Sequence, residues 1–281
     1  MNPQPSTMNH SLLSRAMMMA ALSATVAIAT VAPSVRASTP RIQFNPPEIE
    51  RPQVFLRSSY MSHGGPRCGN NYTHALIPPT QVGLTDGSNP ILFFHVDRRT
   101  AQNMPTTIAL QLELFPLTPS TEAAPLGGIA EAPLYTSTIQ VPVNVLPGII
   151  GFRLPDLVNQ QLQTDRFYQW VLQIACRPDL SDPFFNSDPY DSDYISGLLH
   201  PVERDPKLAA ELAQAASLRQ VALYAQNGIW YESLSLLAQL RQAEPENQAL
   251  KAAWTNLLES AGFGSRYRLP PKQLADSPLW F

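Results

Sequence analysis

The nine residues HGGPRCGNN, positions 63–71, place a histidine, an arginine and a cysteine in one glycine-rich loop. Three chemistries suit those residue types. An imidazole beside a thiol activates a nucleophile, glycine N–H groups cradle an anion, and a cysteine in an oxidising compartment closes a disulfide. The anion cradle fails on context: the loop lacks the Lys-Ser/Thr ending of a phosphate loop, contains a proline without an N–H, and leads into no amphipathic helix. A nucleophilic Cys68 with His63 or His74 as its base needs a reduced thiol, and the N-terminus argues against one. Arg15 precedes an uncharged run from Ala16 to Ala32, and PSVRA then sets Val35 and Ala37 at the −3 and −1 positions of a signal-peptidase site. That three-part layout is a secretory signal, so residues 1–37 are expected to be removed, with a retained membrane anchor as the alternative, and the chain to reach the periplasm or the exterior. There Cys68 and Cys176, the two cysteines, are expected to pair. Closing the 108-residue loop between them would remove roughly 4 to 5 kcal/mol of denatured-chain freedom.

Other chemistry-bearing residues are sparse. The stretch DLSDPFFNSDPYDSDY offers Asp188, Asp191 and Asp193 as hard oxygen ligands, a weak calcium candidate without the spacing or closing Glu of an EF-hand. Asp also gathers in such loops for turn-forming reasons. The five histidines include no i,i+4 pair, so zinc is not indicated. No G-x-S-x-G elbow or S-x-x-K pair occurs. No catalytic residue is therefore named, no cofactor is expected, and the expected role is non-enzymatic. Removing Arg15 and Arg36 leaves 17 basic against 22 acidic groups, which excludes the basic face that nucleic acid or an anionic membrane requires. Partners are expected among envelope proteins or polysaccharides, with no membrane span left after cleavage. His63 and Arg67, beside the expected bridge, and Trp230 and Tyr231, on a predicted helix, are the candidates for contact with them.

The elements that must position these residues follow from patterning. Charged residues are 15% of the chain and prolines number 28, which points to a loop-rich, partly β protein. A proline-rich linker is expected over 38–52. From 53 to 203, short apolar runs alternate with turn clusters, giving strands at Val54–Leu56, Thr73–Ile77, Ile91–Val96, Thr107–Phe115, Leu134–Val141, Gly148–Leu154, Arg166–Cys176 and Tyr194–His200. In FYQWVLQIAC, Tyr168, Trp170, Leu172, Ile174 and Cys176 share a strongly apolar face, while Gln169, Val171 and Gln173 make the other face mixed. After residue 204 the period becomes helical. Asp205 and Pro206 start one helix that carries a stripe from Leu208 to Ala225, Gly228 breaks it, and further helices cover about 229–243 and 247–260. The expected fold is α+β: an N-terminal antiparallel β-sandwich, immunoglobulin-like or jelly-roll-like, then a C-terminal α-helical hairpin at 204–262. In the tail at 263–281, Trp280 and Phe281 are expected to pack back on the domain.

Two resemblances add to this. Tyr224, Gly228, Trp230, Ser233, Leu234 and Pro245 fall in the register of a single tetratricopeptide-type unit, which implies two antiparallel helices but, without stacked copies, no concave groove. HGGPRC at 63–68, ALIP at 75–78, Pro147–Ile150, Tyr168-Gln169-Trp170 with Cys176, Gly197, Gly228-Ile229-Trp230-Tyr231, Leu234, Leu240-Arg241 and Trp254 with Leu257-Leu258 recur in order. On these the mature chain resembles the domain-of-unknown-function 928 family of exported bacterial proteins. The resemblance implies export and assigns no catalytic residue. Where the family pattern has a Trp after the glycine and then an Arg, this chain has Leu198 and Pro201.

Overall fold

In the computed structural model, the most apolar stretches become the inner strands of two sheets. The structure describes residues 41–49, 52, 73–88, 90–97, 106–118, 128–129, 132–164, 166–175, 192–264 and 270–281. The first sheet has the order β1 (Thr73–Ala75), β3 (Ile91–Val96), β7 (Gly148–Arg153) and β10 (Leu279–Trp280). The second runs from β2 (Val82–Thr85) through β9 (Ser192–Pro201) and β8 (Tyr168–Ala175) to β4 (Thr107–Thr118), which also pairs with β5 (Gly128–Ile129) and β6 (Tyr135–Pro142). The run ILFFHV, apolar except for His95, makes β3 a strand buried on both faces, as a near-continuous hydrophobic sequence does. Its Phe94 meets Trp170 of β8 edge to face at 5.3 Å, so the two sheets share one core.

The expectation of purely antiparallel sheets is corrected. The β2–β9 and β7–β10 pairs are parallel, whereas β1–β3, β3–β7, β4–β6, β4–β8 and β8–β9 are antiparallel. Both exceptions involve short segments, VGLT and LW, whose strand character comes from the neighbour they lie against. The face of β8 expected to be mixed is also buried, with Gln169 at 0% and Gln173 at 7% exposure.

Among the described residues, six helices follow or interrupt the strands: α1 (Asp156–Asn159), α2 (Pro206–Gln214), α3 (Ser217–Gln226), α4 (Trp230–Ala243), α5 (Gln248–Ser260) and α6 (Pro271–Asp276). The single helix expected after Asp205 is two. Asp205 caps α2 by accepting the Lys207 N–H at 2.6 Å, but Ala215 and Ala216 are extended and the chain turns back. Packing explains the break: Leu208 and Leu212 cluster with Leu223 and Ile229, while Val221, Ala222 and Ala225 face the main core. One straight stripe could not serve both. Gly228 joins α3 to α4 at φ +73°, a conformation that favours glycine, and an added Cβ would sit 3.0 Å from Pro47. Asn247 caps α5, accepting the N–H groups of Ala249 and Leu250.

Residues 41–49 are not the free linker that their prolines suggest. Ile42 and Phe44 are buried, the Phe44 N–H donates to Ser260 Oγ at 2.8 Å, and the Phe44 ring meets Trp230 at 4.9 Å. Two apolar side chains in a polar stretch are enough to dock it on the helices. At the other end Phe281 packs on Phe93 at 5.4 Å, and Trp280 pairs with Ile150 through its backbone while its ring stays half-exposed.

Candidate functional site

Helix α4 organises the centre of the molecule. Trp230, Tyr231, Glu232, Ser233, Leu234, Ser235, Leu237, Ala238 and Arg241 are all buried, so polar and apolar faces alike are covered, and its polar groups must find partners inside the protein. They do so chiefly on the sheets. Trp230 Nε1 donates to the Leu76 carbonyl at 2.9 Å, and Ser235 Oγ accepts the Ile91 N–H at 2.9 Å. Tyr231 Oη accepts from Trp170 Nε1 at 2.9 Å and donates to the Leu198 carbonyl at 3.3 Å. Burial raises the Tyr231 phenol well above its ordinary value, so it stays protonated and able to donate. Two glycines make room for these rings. A Cβ on Gly83 would lie 2.5 Å from the Tyr231 ring, and one on Gly197 would lie 2.3 Å from the Trp170 ring.

Glu232 is the most displaced acid of this region. Burial first, then the negative charge of Asp86, raises its carboxyl to about 8, and a hydrogen bond from Thr85 offsets part of that rise. The Thr85 hydroxyl donates to Glu232 Oε1 at 2.5 Å and accepts the Gly87 N–H at 2.9 Å, while Glu232 Oε2 has no partner. Asp86 behaves oppositely. Burial pushes its carboxyl up, but hydrogen bonds from Arg204 and Ser88 outweigh burial and hold it below the usual range. Arg204 Nε donates to Asp86 Oδ2 at 2.6 Å, and that bond raises the guanidinium further. One acid kept neutral beside one kept ionised is the pattern that acid–base sites exploit. Here, however, the Asp86 side chain is 0% exposed and Glu232 2%, beyond the reach that proton transfer to a substrate needs.

Two clefts open beside this junction. One of ≈ 280 Å³ is bordered by Asp86, Asp156, Asn159, Gln160, Thr164 and Pro201; the other, of ≈ 450 Å³, by Gln160, Gln161, Gln163, Arg166 and Tyr168. They share Gln160 and Leu162. Arg166 is anchored by donating to the Leu117 carbonyl and to Gln163 Oε1, both at 3.3 Å, and Tyr168 Oη accepts the Gln163 N–H at 2.9 Å. Such a wall is a hydrogen-bonding surface of amides and a guanidinium.

A second titratable cluster lies in the first sheet, where His74 and His95 are directly opposite each other in the β1–β3 ladder. His95 is wholly buried and neither ring nitrogen has a hydrogen-bond partner. Burial lowers both imidazoles, and Asp97 only partly restores them. Among the described residues, no three or more His, Cys, Asp or Glu groups are arranged to hold a metal ion.

The residues singled out by sequence fall in two groups. Cys68, Cys176, His63, Arg67, Asp188 and Asp191 lie outside the described residues, as does the side chain of Asp193. Trp230 and Tyr231, expected as contacts for a partner, are instead 0% and 2% exposed and hold α4 to the sheets of their own chain. Their N–H and O–H groups are satisfied internally, which is why an exposed position was not available to them. Sequence reasoning did not find Thr85, Asp86, Arg204 and Glu232, which are far apart in the chain and follow no motif. The usable signal was helix α4 itself, since apolar residues all round it mark a buried helix whose polar positions must be paired.

Fold and site together define a two-sheet α+β protein in which one central helix is tied to the sheets by buried aromatic and carboxyl contacts. The family model described as Domain of Unknown Function (DUF928) matches residues 59–270, well over half of the chain, and the chain belongs to that family. No curated protein matches it.

Proposed function

We propose that this is an exported, non-enzymatic protein of the cell envelope that works by binding. The observation that carries the reading is the inward placement of Glu232, which is engaged by Thr85 and lines neither cleft, while Asp86, at the rim of one cleft, is held by Arg204 and the other cleft offers Gln160, Gln161, Gln163 and Arg166. Those groups suit holding a ligand better than transforming one. Export rests on Arg15, the run to Ala32 and the Val35/Ala37 site, and the Cys68–Cys176 bridge belongs to the same reading. Within it, the sheets joined by Phe94 and Trp170 are the layers of a β-sandwich, immunoglobulin-like or jelly-roll-like, and α3–α4 is the tetratricopeptide-type hairpin. The support for the hairpin is the Gly228 turn and the Ser233 hydroxyl donating to the Val221 carbonyl at 3.2 Å.

The test has three arms. Mass spectrometry of protein recovered from the envelope should find Ser38 as the first residue and no free thiol. Affinity capture from the same envelope should return a defined partner. Turnover of glycan, peptide or ester substrates by the pure protein would overturn the reading.

A second reading, a carbohydrate-binding protein, is favoured by the amide and guanidinium wall of the ≈ 450 Å³ cleft. It predicts retention on envelope polysaccharide that Arg166→Ala weakens. If Asp188, Asp191 and Asp193 contribute calcium, millimolar calcium should raise the melting temperature. Neither retention nor a shift would remove it.

A further inference from the structure

Among the described residues, strand β6, YTSTIQVP, is an edge with few of the usual protections. It pairs with β4 over its whole length, from Thr107↔Pro142 to Leu114↔Tyr135, in one register without a bulge. Among the described residues β4 is the only strand beside it, so in antiparallel geometry alternate N–H and C=O groups point away from the sheet. Natural edges of this length are blunted by lysine, inward charge, bulges or proline. Here no residue from Tyr135 to Val141 is charged, and the proline comes last. The opposite edge of the same sheet is different: β2 has four residues and α4 lies against it.

We propose that two copies of this chain pair through β6, edge to edge and antiparallel, extending the second sheet across a two-fold axis. Three observations favour a second copy as the occupant. A strand pairing with its own copy brings like residues together, which is costly for a charged strand and costs nothing here. Self-pairing about Thr138 sets Thr138 opposite its copy, Thr136 opposite Gln140 and Ser137 opposite Ile139, pairs of hydroxyl, amide and β-branched side chains that suit a sheet surface. On the core side, Leu134, Tyr135 and Ile139 pack on the main cluster while partly exposed, so the core is open along this edge and a second copy would close it. The contact is isologous, which ends at a dimer instead of continuing into a fibre.

This goes beyond the envelope reading and can fail without it. Light scattering on size-separated mature protein over a concentration series should show a dimer. Thr138→Lys puts two ammonium groups face to face at the axis and should weaken association at least tenfold, with circular dichroism and melting temperature of the monomer unchanged. Thr136→Lys with Gln140→Lys should abolish the dimer, whereas Thr136→Glu with Gln140→Lys places opposite charges across the axis and should retain it. A monomer at every concentration, a dimer indifferent to Thr138→Lys, or equal loss in both paired variants would overturn the proposal.

Discussion

Glu232 should make the protein lose stability as pH rises from neutral, and the sign can be worked out from its surroundings. In the unfolded chain its carboxyl ionises near the ordinary 4.5, while the folded environment holds the proton up to about 8. Between those values the folded state binds the extra proton, so this contribution is complete at low pH and is lost as pH rises through 8. The histidines oppose it. Burial lowers His74 and His95 below 6.5, so below that pH the unfolded state binds more protons and stability falls as pH falls. Asp86, held low by its bonds to Arg204 and Ser88, loses its contribution only in the acid range under the usual carboxylate value. From 6.5 to 8 that opposition fades as the unfolded imidazoles lose their protons. At about 1.4 kcal/mol per pH unit, less the flattening near the Glu232 pKa and what the histidines still offset, the net loss over that interval is on the order of 1 kcal/mol. Urea unfolding at half-unit steps measures it. Glu232→Gln keeps an oxygen for the Thr85 hydroxyl and cannot ionise, so its profile should not fall where the wild type's does. Equal wild-type stability at 6.5 and 8, or parallel slopes for the two proteins, would refute the reasoning.

Three further substitutions test the helix–sheet junction and the buried imidazole. Tyr231→Phe strands Trp170 Nε1 and removes one bond to the Leu198 carbonyl, and should cost about 1 to 2 kcal/mol in urea unfolding; in a cycle with Trp170→Phe the two losses should not add. Gly197→Ala drives a methyl to within 2.3 Å of a Trp170 ring pinned by that bond, and should lower stability by at least about 2 kcal/mol, with fluorescence reporting the displaced indole. His95→Met removes two ring nitrogens that have no partner, so thermal melts at neutral pH should show a gain of about 1 kcal/mol and a shallower fall below pH 6.5.

Pattern made some of this readable and contact made the rest. Ile91–Val96 was predictable to the residue because a run that is apolar but for His95 suits a covered strand. Val82–Thr85 was not, because four residues before Asp86-Gly87-Ser88 look like turn chemistry, and only pairing with β9 and cover from α4 make them a strand. The helix expected from Asp205 to Gly228 broke at Ala215–Ala216, where nothing in propensity forbids a helix; two separate apolar clusters demanded the fold-back. Glu232 was hidden for a related reason. A glutamate in WYESLS reads as a solvated position, and its burial follows from sheet on one side and helices on the other.

Among the described residues, those that carry the family likeness lie mostly inside. Trp170, Gly197, Trp230, Tyr231, Leu234, Arg241, Trp254, Leu257 and Leu258 are buried, and several touch one another: Trp170 bonds to Tyr231, Gly197 clears the Trp170 ring, and Arg241 lies 4.6 Å over Trp254 while donating to the Ala275 carbonyl. Membership therefore speaks for how the helices seat on the sheets. In the proposed binding role the clefts carry ligand preference, and Pro201, where the resemblance has an arginine, borders the ≈ 280 Å³ cleft. A cation at that point would stand near Asp86 and Asp156, which border the same cleft. Because Pro201 is buried, Pro201→Arg should cost some stability while leaving α4 seated, and should alter what the cleft retains from envelope extracts. A collapse of stability, or an unchanged set of retained ligands, would place the family arginine in the architecture or outside recognition, and would move the binding wall to Arg166 and its neighbouring amides.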